Sequence, residues 1–127
     1  MPVSKTGLIA RATAYFADVD RFETEAILSH LTEDVVLDVP TDGVHKAGKG
    51  AVRETYVKRA ERVAKSWHGN FEFTADESAQ RLAVRLDVKR TNIDGSTVEL
   101  DTLSLLTFEG DKISAIAVWM SGENTLT

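Results

Sequence analysis

The sequence predicts an α+β domain, with helices from the N-terminal half laid over one face of an antiparallel-rich sheet built by the C-terminal half. Three observations predict it. Apolar residues recur at three- and four-residue spacings through the first half, and the period changes to two at Ser66. Three strand-like runs, residues 81–91, 96–108 and 112–120, follow and are joined by turns that carry Gly95 and Gly110. Helices and strands segregated along a chain in this way pack as separate layers.

Leu8, Ala12, Tyr15 and Val19 share one face of a first helix, residues 4–17, so Tyr15 points towards the sheet that the helix covers. In Asp20-Arg21-Phe22-Glu23 an acceptor stands three residues before a glutamate, a capping-box variant that restarts helix at residue 21 and carries it to residue 31. The β-branched run ending at Val39 predicts a short edge strand closed by Pro40, with Val36 and Asp38 on one face and Leu37 and Val39 on the other. A loop over residues 41–48 leads to a third helix, residues 49–65, striped by Val52, Tyr56, Ala60 and Val63. The next strand, residues 67–74, is interrupted by Gly69. After it, Leu82, Val84, Leu86 and Val88 alternate with Ala83, Arg85, Asp87 and Lys89. In the following run Val98, Leu100, Thr102, Ser104, Leu106 and Phe108 face one way, and Glu99, Asp101, Leu103, Leu105 and Thr107 the other.

At 127 residues, 43% of them hydrophobic, the chain is expected to form one domain, residues 1–127, and no internal repeat or linker divides it. It contains no cysteine, which excludes disulfides, thiol nucleophiles and thiolate metal sites. A net charge of −5 and a pI near 5.2 argue against nucleic acid as a partner. There is no apolar run long enough to span a membrane and no apolar leader at the N-terminus, so a soluble, cytoplasmic protein without a membrane partner is expected. The basic residues Lys46, Lys49, Arg53, Lys58, Arg59 and Arg62, interleaved with Glu54 and Glu61, read as a solvated helix face. His30, His45 and His68 lack metal-ligand spacing, so no metal is expected.

Tyr15 ten residues before Glu25-Ala26-Ile27, the run Asp34 to Pro40, Gly48 at the head of the third helix, and the ending Phe108-Glu109-Gly110-Asp111-Lys112-Ile113 followed by Trp119 form an ordered set. In that order and spacing the chain resembles the nuclear-transport-factor-2-like superfamily, which includes ketosteroid isomerases, polyketide cyclases and limonene epoxide hydrolases. The resemblance covers nearly the whole chain and implies a curved sheet wrapped around the N-terminal helices, a cone-shaped, cystatin-like roll. It also implies a homodimer formed through the outer face of the sheet. The scaffold hosts unrelated chemistries, so activity is argued from residues.

Tyr15 matches the oxyanion-stabilising tyrosine of the isomerases, a role that suits a phenol because it donates a strong hydrogen bond. The isomerase general base falls on Val39 and the protonated aspartate of the oxyanion hole on Ser104, leaving Asp38 as a substitute base only if a bulge turns it inward. Arg85-Leu86-Asp87 resembles the Arg-x-Asp strand of limonene epoxide hydrolase, in which both polar side chains enter the pocket. Asp38 falls on that family's water-positioning asparagine, and its second aspartate falls on Val118. Without that resemblance, Arg85 and Asp87 read as an exposed ion pair. His68 is a candidate acid–base partner, as in dehydratases on this fold that use a His and Asp pair. Trp67, Ser104, Asp101 and Trp119 are candidate substrate contacts, with Asp101 and Ser104 on opposite faces.

The function expected is cofactor-independent proton transfer on a small hydrophobic or amphipathic ligand: isomerisation, cyclisation, dehydration or hydrolytic opening. Asp38 or Asp87 is the expected base, Tyr15 or His68 the donor, and Arg85 the group that orients or stabilises negative charge. The alternative is a non-catalytic small-molecule-binding or dimerisation module on the same fold.

Overall fold

The computed structural model describes residues 2–122 and 124–126. Helix α1, Lys5–Asp20, begins where Ser4 Oγ accepts the Gly7 N–H and buries Leu8, Ala12, Tyr15, Phe16 and Val19. It cannot continue past Arg21, because Phe22 has a φ of 57°, in the left-handed region. The short α2, Thr24–Ser29, follows, and its N-cap residue Glu23 makes no side-chain capping bond. The expected restart at residue 21 with Asp20 as cap is therefore corrected: Asp20 closes α1, and its carboxylate is engaged far along the chain.

Strand β1, Leu31–Val39, is followed by a 3-10 turn, Pro40–Asp42, by β2, Val44–Ala47, and by α3, Lys49–Arg62. Then come β3, Val63–Asp76, β4, Arg81–Asn92, β5, Thr97–Glu109, and β6, Lys112–Met120. The six strands form one sheet in the order β2-β1-β6-β5-β4-β3. β1 runs parallel to β6, and every other neighbouring pair is antiparallel. Two expectations change here. The loop over residues 41–48 contains a strand, and because that strand pairs with β1, β1 is interior to the sheet.

The third helix stops three residues earlier than expected because Val63 is already extended and opens β3. Its buried face is Val52, Thr55, Tyr56 and Arg59, while Ala60 is exposed. Those positions follow the i, i+3, i+4, i+7 rule. Arg59 thus leaves the solvated basic cluster in which the sequence placed it. The inner face of the sheet, including Leu82, Val84, Leu86, Leu106 and Ile116, packs against α1, α2 and α3 in a single core. Fully burying one such leucine or isoleucine contributes about 1.5–3 kcal/mol. The whole forms an α+β cone with an open, curved sheet. Among the described residues no helix is long and apolar enough to cross a membrane.

Candidate functional site

A cavity lies between α1, α3 and the inner face of β3 to β6. Its walls include the apolar Val19, Leu86, Val88, Leu100, Ile116, Val118 and Met120, and the polar Tyr15, Tyr56, Arg59, His68, Arg90, Thr102 and Ser104. Its free volume is about 60 Å³, several times the roughly 10–15 Å³ that one water requires. As it stands, the cavity admits a few waters or one end of a small ligand.

The polar end is organised by Asp20. Ser66 and His68 lie two residues apart on β3 and share its inner face. That register lets both reach the last turn of α1. His68 Nδ1 lies 2.5 Å from Asp20 Oδ1, the His68 backbone N–H donates to Asp20 Oδ2 at 2.8 Å, and Ser66 Oγ donates to Asp20 Oδ1 at 2.9 Å. Burial alone would raise the Asp20 pKa, but the bonds from His68 and Ser66 outweigh it and hold the carboxyl below its ordinary value. An ionised carboxylate only accepts, so His68 Nδ1 is the protonated nitrogen, and the lone pair of the neutral imidazole sits on Nε2. The ring stacks on Phe16 at 5.4 Å between centroids and Phe16 stacks on Phe71 at 5.5 Å, which fixes the imidazole plane. Beside it the ladder is irregular between Gly69 and Glu72, and Asn70 has φ of 53°. Such bulges re-aim neighbouring side chains.

Ser66 Oγ in turn accepts from Arg59 Nη2 at 2.9 Å, and the Arg59 guanidinium lies 5.4 Å over the Phe22 ring. Desolvation lowers the Arg59 pKa and Arg90 lowers it further, while Tyr56 and Asp20 act in the opposite sense. Tyr15 and Tyr56 share a hydrogen bond between their buried hydroxyls. Desolvation raises both phenols above their ordinary value, Tyr15 well above it, so both stay protonated near neutrality.

Of the residues singled out from the sequence, Tyr15, His68 and Ser104 line this cavity. Arg85, Asp87, Asp101, Trp67 and Trp119 do not; they lie on the outer face. On β4 the buried Leu82, Val84, Leu86 and Val88 take the inner face, and strand alternation sends Arg85 and Asp87 outward. There Arg85 pairs with Glu72 at 2.8 Å and Asp101 at 3.0 Å, and Asp87 accepts from Asn70 Nδ2 at 2.8 Å. Trp67 is 42% exposed, with Lys89 5.3 Å from its ring. Trp119 sits opposite Leu103 of β5, away from Val118. Asp38 is not turned inward either: β1 pairs in continuous register with β2 from Val36 to Val39, and the Asp38 carboxylate bonds His45 at 2.5 Å.

Sequence reasoning missed Asp20, Tyr56, Arg59, Arg90 and Thr102. For Tyr56 and Arg59 a signal existed in the spacing Val52, Thr55, Tyr56, Arg59. Arg90 and Thr102 extend the inward parities of β4 and β5. Among the described residues no group of three His, Asp or Glu side chains is arranged to hold a metal ion.

No sequence among the curated proteins matches this chain. Solved structures share its fold at low identity. A candidate polyketide cyclase from Xanthomonas campestris pv. campestris is 17% identical, with 91% of this chain and 90% of that chain covered and a TM-score of 0.81. SalBIII, an epoxide hydrolase/cyclase-like enzyme with a role in pyran ring formation in polyether salinomycin, is 20% identical, with 93% of each chain covered and a TM-score of 0.83. A nuclear-transport-factor-2-like protein from Burkholderia xenovorans LB400 is 19% identical, with 94% of this chain and 92% of that chain covered and a TM-score of 0.77. The sequence profile of the SnoaL-like domain matches residues 12–116. With its helices over a curved six-stranded sheet and most of its length inside that profile, the chain belongs to the SnoaL-like domain family of the nuclear-transport-factor-2-like superfamily.

Proposed function

We propose that this protein is a cofactor-independent acid–base enzyme that moves a proton on a small, mostly apolar molecule held in the cavity. The Asp20–His68 pair carries the reading. A carboxylate on Nδ1 fixes the tautomer and supports the imidazolium that forms when Nε2 takes a proton. His68 Nε2 removes a proton from a carbon next to a carbonyl, and the C–H electron pair moves through the carbon–carbon bond onto the carbonyl oxygen. The hydrogen-bonded phenols Tyr15 and Tyr56 supply an O–H donor for that oxygen. Return of the proton from His68 to another carbon completes an isomerisation. Its transfer to a departing hydroxyl, as the enolate pair collapses to an alkene, completes a dehydration. The candidate polyketide cyclase and the epoxide hydrolase/cyclase-like enzyme on this fold are consistent with such chemistry. The roles that the sequence suggested for Asp38, Asp87 and Arg85 pass to groups that line the cavity or bond to its wall.

The test is deuterium exchange at carbons next to the carbonyl in a panel of small ketones and enones, followed by NMR. The expected result is saturable exchange by the wild-type protein and a loss of about 10²–10⁴-fold in His68→Asn, with the secondary structure intact by circular dichroism. Exchange that survives the substitution would remove His68 as the base, and wild-type exchange no faster than buffer would favour a non-catalytic binding module.

A further inference from the structure

Arg59 is only 4% exposed, yet among the described residues no carboxylate contacts it. Its hydrogen bond goes to the neutral Ser66 hydroxyl, and its flat face rests on Phe22. The carboxylate behind Ser66, that of Asp20, already accepts three bonds from Ser66 and His68. Buried charges are ordinarily paired, because an unpaired one loses its hydration without replacement. Around Arg59 the described residues of the cavity wall include Arg90 and His68 but no Asp or Glu. A second observation is independent of the first. Thr102 Oγ1 is buried in the same wall and makes no hydrogen bond among the described residues. A buried hydroxyl left unsatisfied in a native structure calls for a partner.

We propose that Arg59 is a substrate-recognition residue and that the molecule bound in the cavity carries a carboxylate, received by the Arg59 guanidinium with the Thr102 hydroxyl as a further donor. A guanidinium presents N–H groups in a planar fork that matches a carboxylate, and one Nη2–H of Arg59 is committed to Ser66. The apolar walls Leu86, Val88, Leu100, Ile116 and Val118 receive the apolar carbons next to that carboxylate. The ligand class is therefore an amphipathic organic acid. This deepens the proposed function, since it rests on that reading for where the reaction occurs, while the binding preference stands by itself.

The experiment compares cyclohexanecarboxylate with its isosteric neutral amide, titrated by calorimetry into the full chain at neutral pH, for the wild-type protein, Arg59→Gln, Arg59→Lys and His68→Asn. The expected result is a preference for the carboxylate of about tenfold or more in the wild type, abolished in Arg59→Gln, reduced in Arg59→Lys and retained in His68→Asn. Equal binding of acid and amide, no binding of the acid at millimolar concentration, or a preference that survives Arg59→Gln would overturn the proposal. Should Arg59→Gln fail to fold, the wild-type preference and its reduction in Arg59→Lys, which keeps the charge but not the fork, decide the matter. A carboxylate preference without deuterium exchange would count against the acid–base reading alone, and exchange without the preference against this inference alone.

Discussion

Asp20 carries a consequence for stability as well as for His68. Its folded pKa is depressed, so the stability it contributes is present above the unfolded carboxylate value, about 3.9, and is lost as pH falls through the lower folded value. Asp20→Asn should destabilise the protein by about 1–3 kcal/mol near neutrality, and the gap to wild type should close in acid. Urea denaturation at neutral and acidic pH checks both parts. The phenol pair has the opposite sign. Both pKa values are raised, so its contribution is intact below the ordinary phenol value and is lost as pH rises through the higher folded values. Tyr15→Phe or Tyr56→Phe alone strands one buried hydroxyl and should cost about 1–3 kcal/mol, whereas the double variant should cost less than the sum. Denaturation of the three variants, including an alkaline series, tests this. Tyr15 could be read from the sequence because helical period alone points it inward. Asp20 could not, because its partner lies 48 residues away and its local context, just before a helix break, looks like a cap.

At the scale of elements, the alternation of β4 and β5 was fully legible, including which side chains share a face. What period alone cannot say is which face is inside when a polar pair matches a pocket motif, and burial of the leucine and valine side decided it against Arg85 and Asp87. The strand β2 escaped notice because Val44 to Ala47 is short and bounded by Gly43 and Gly48, both of which have positive φ. Gly48 joins that strand to α3: its N–H donates to Val35 O at 2.7 Å, its carbonyl accepts from Val52, and its φ is 92°. An alanine there meets no steric neighbour but is strained in its backbone. Gly48→Ala should therefore lower stability by about 1–3 kcal/mol, measured by thermal unfolding. Because α3 carries Tyr56 and Arg59, ligand affinity should weaken with it.

For the whole molecule, the homodimer that the resemblance implies would use the outer face of the sheet, where Leu103 is 44% and Trp67 is 42% exposed. The polar network of Arg85, Glu72 and Asp101 lies on that face as well. Sedimentation should then give twice the 13.9 kDa chain mass, and Leu103→Asp should return the monomer with its secondary structure intact by circular dichroism. A wild-type monomer at micromolar concentration would count against the dimer. The strand order has a different consequence, for how the chain reaches this state. β3 to β6 form a meander of neighbours that can zip locally, but β1 finds its parallel partner only in β6, the last strand. On a ribosome, the emerging β1 has only the short β2 to pair with until residues 112–120 have been synthesised, and the apolar Val35, Leu37 and Val39 must wait for the rest of the sheet. Closure of that long loop is the costly step, so weakening the β1–β6 seam should slow folding more than an equal weakening of the β4–β5 hairpin.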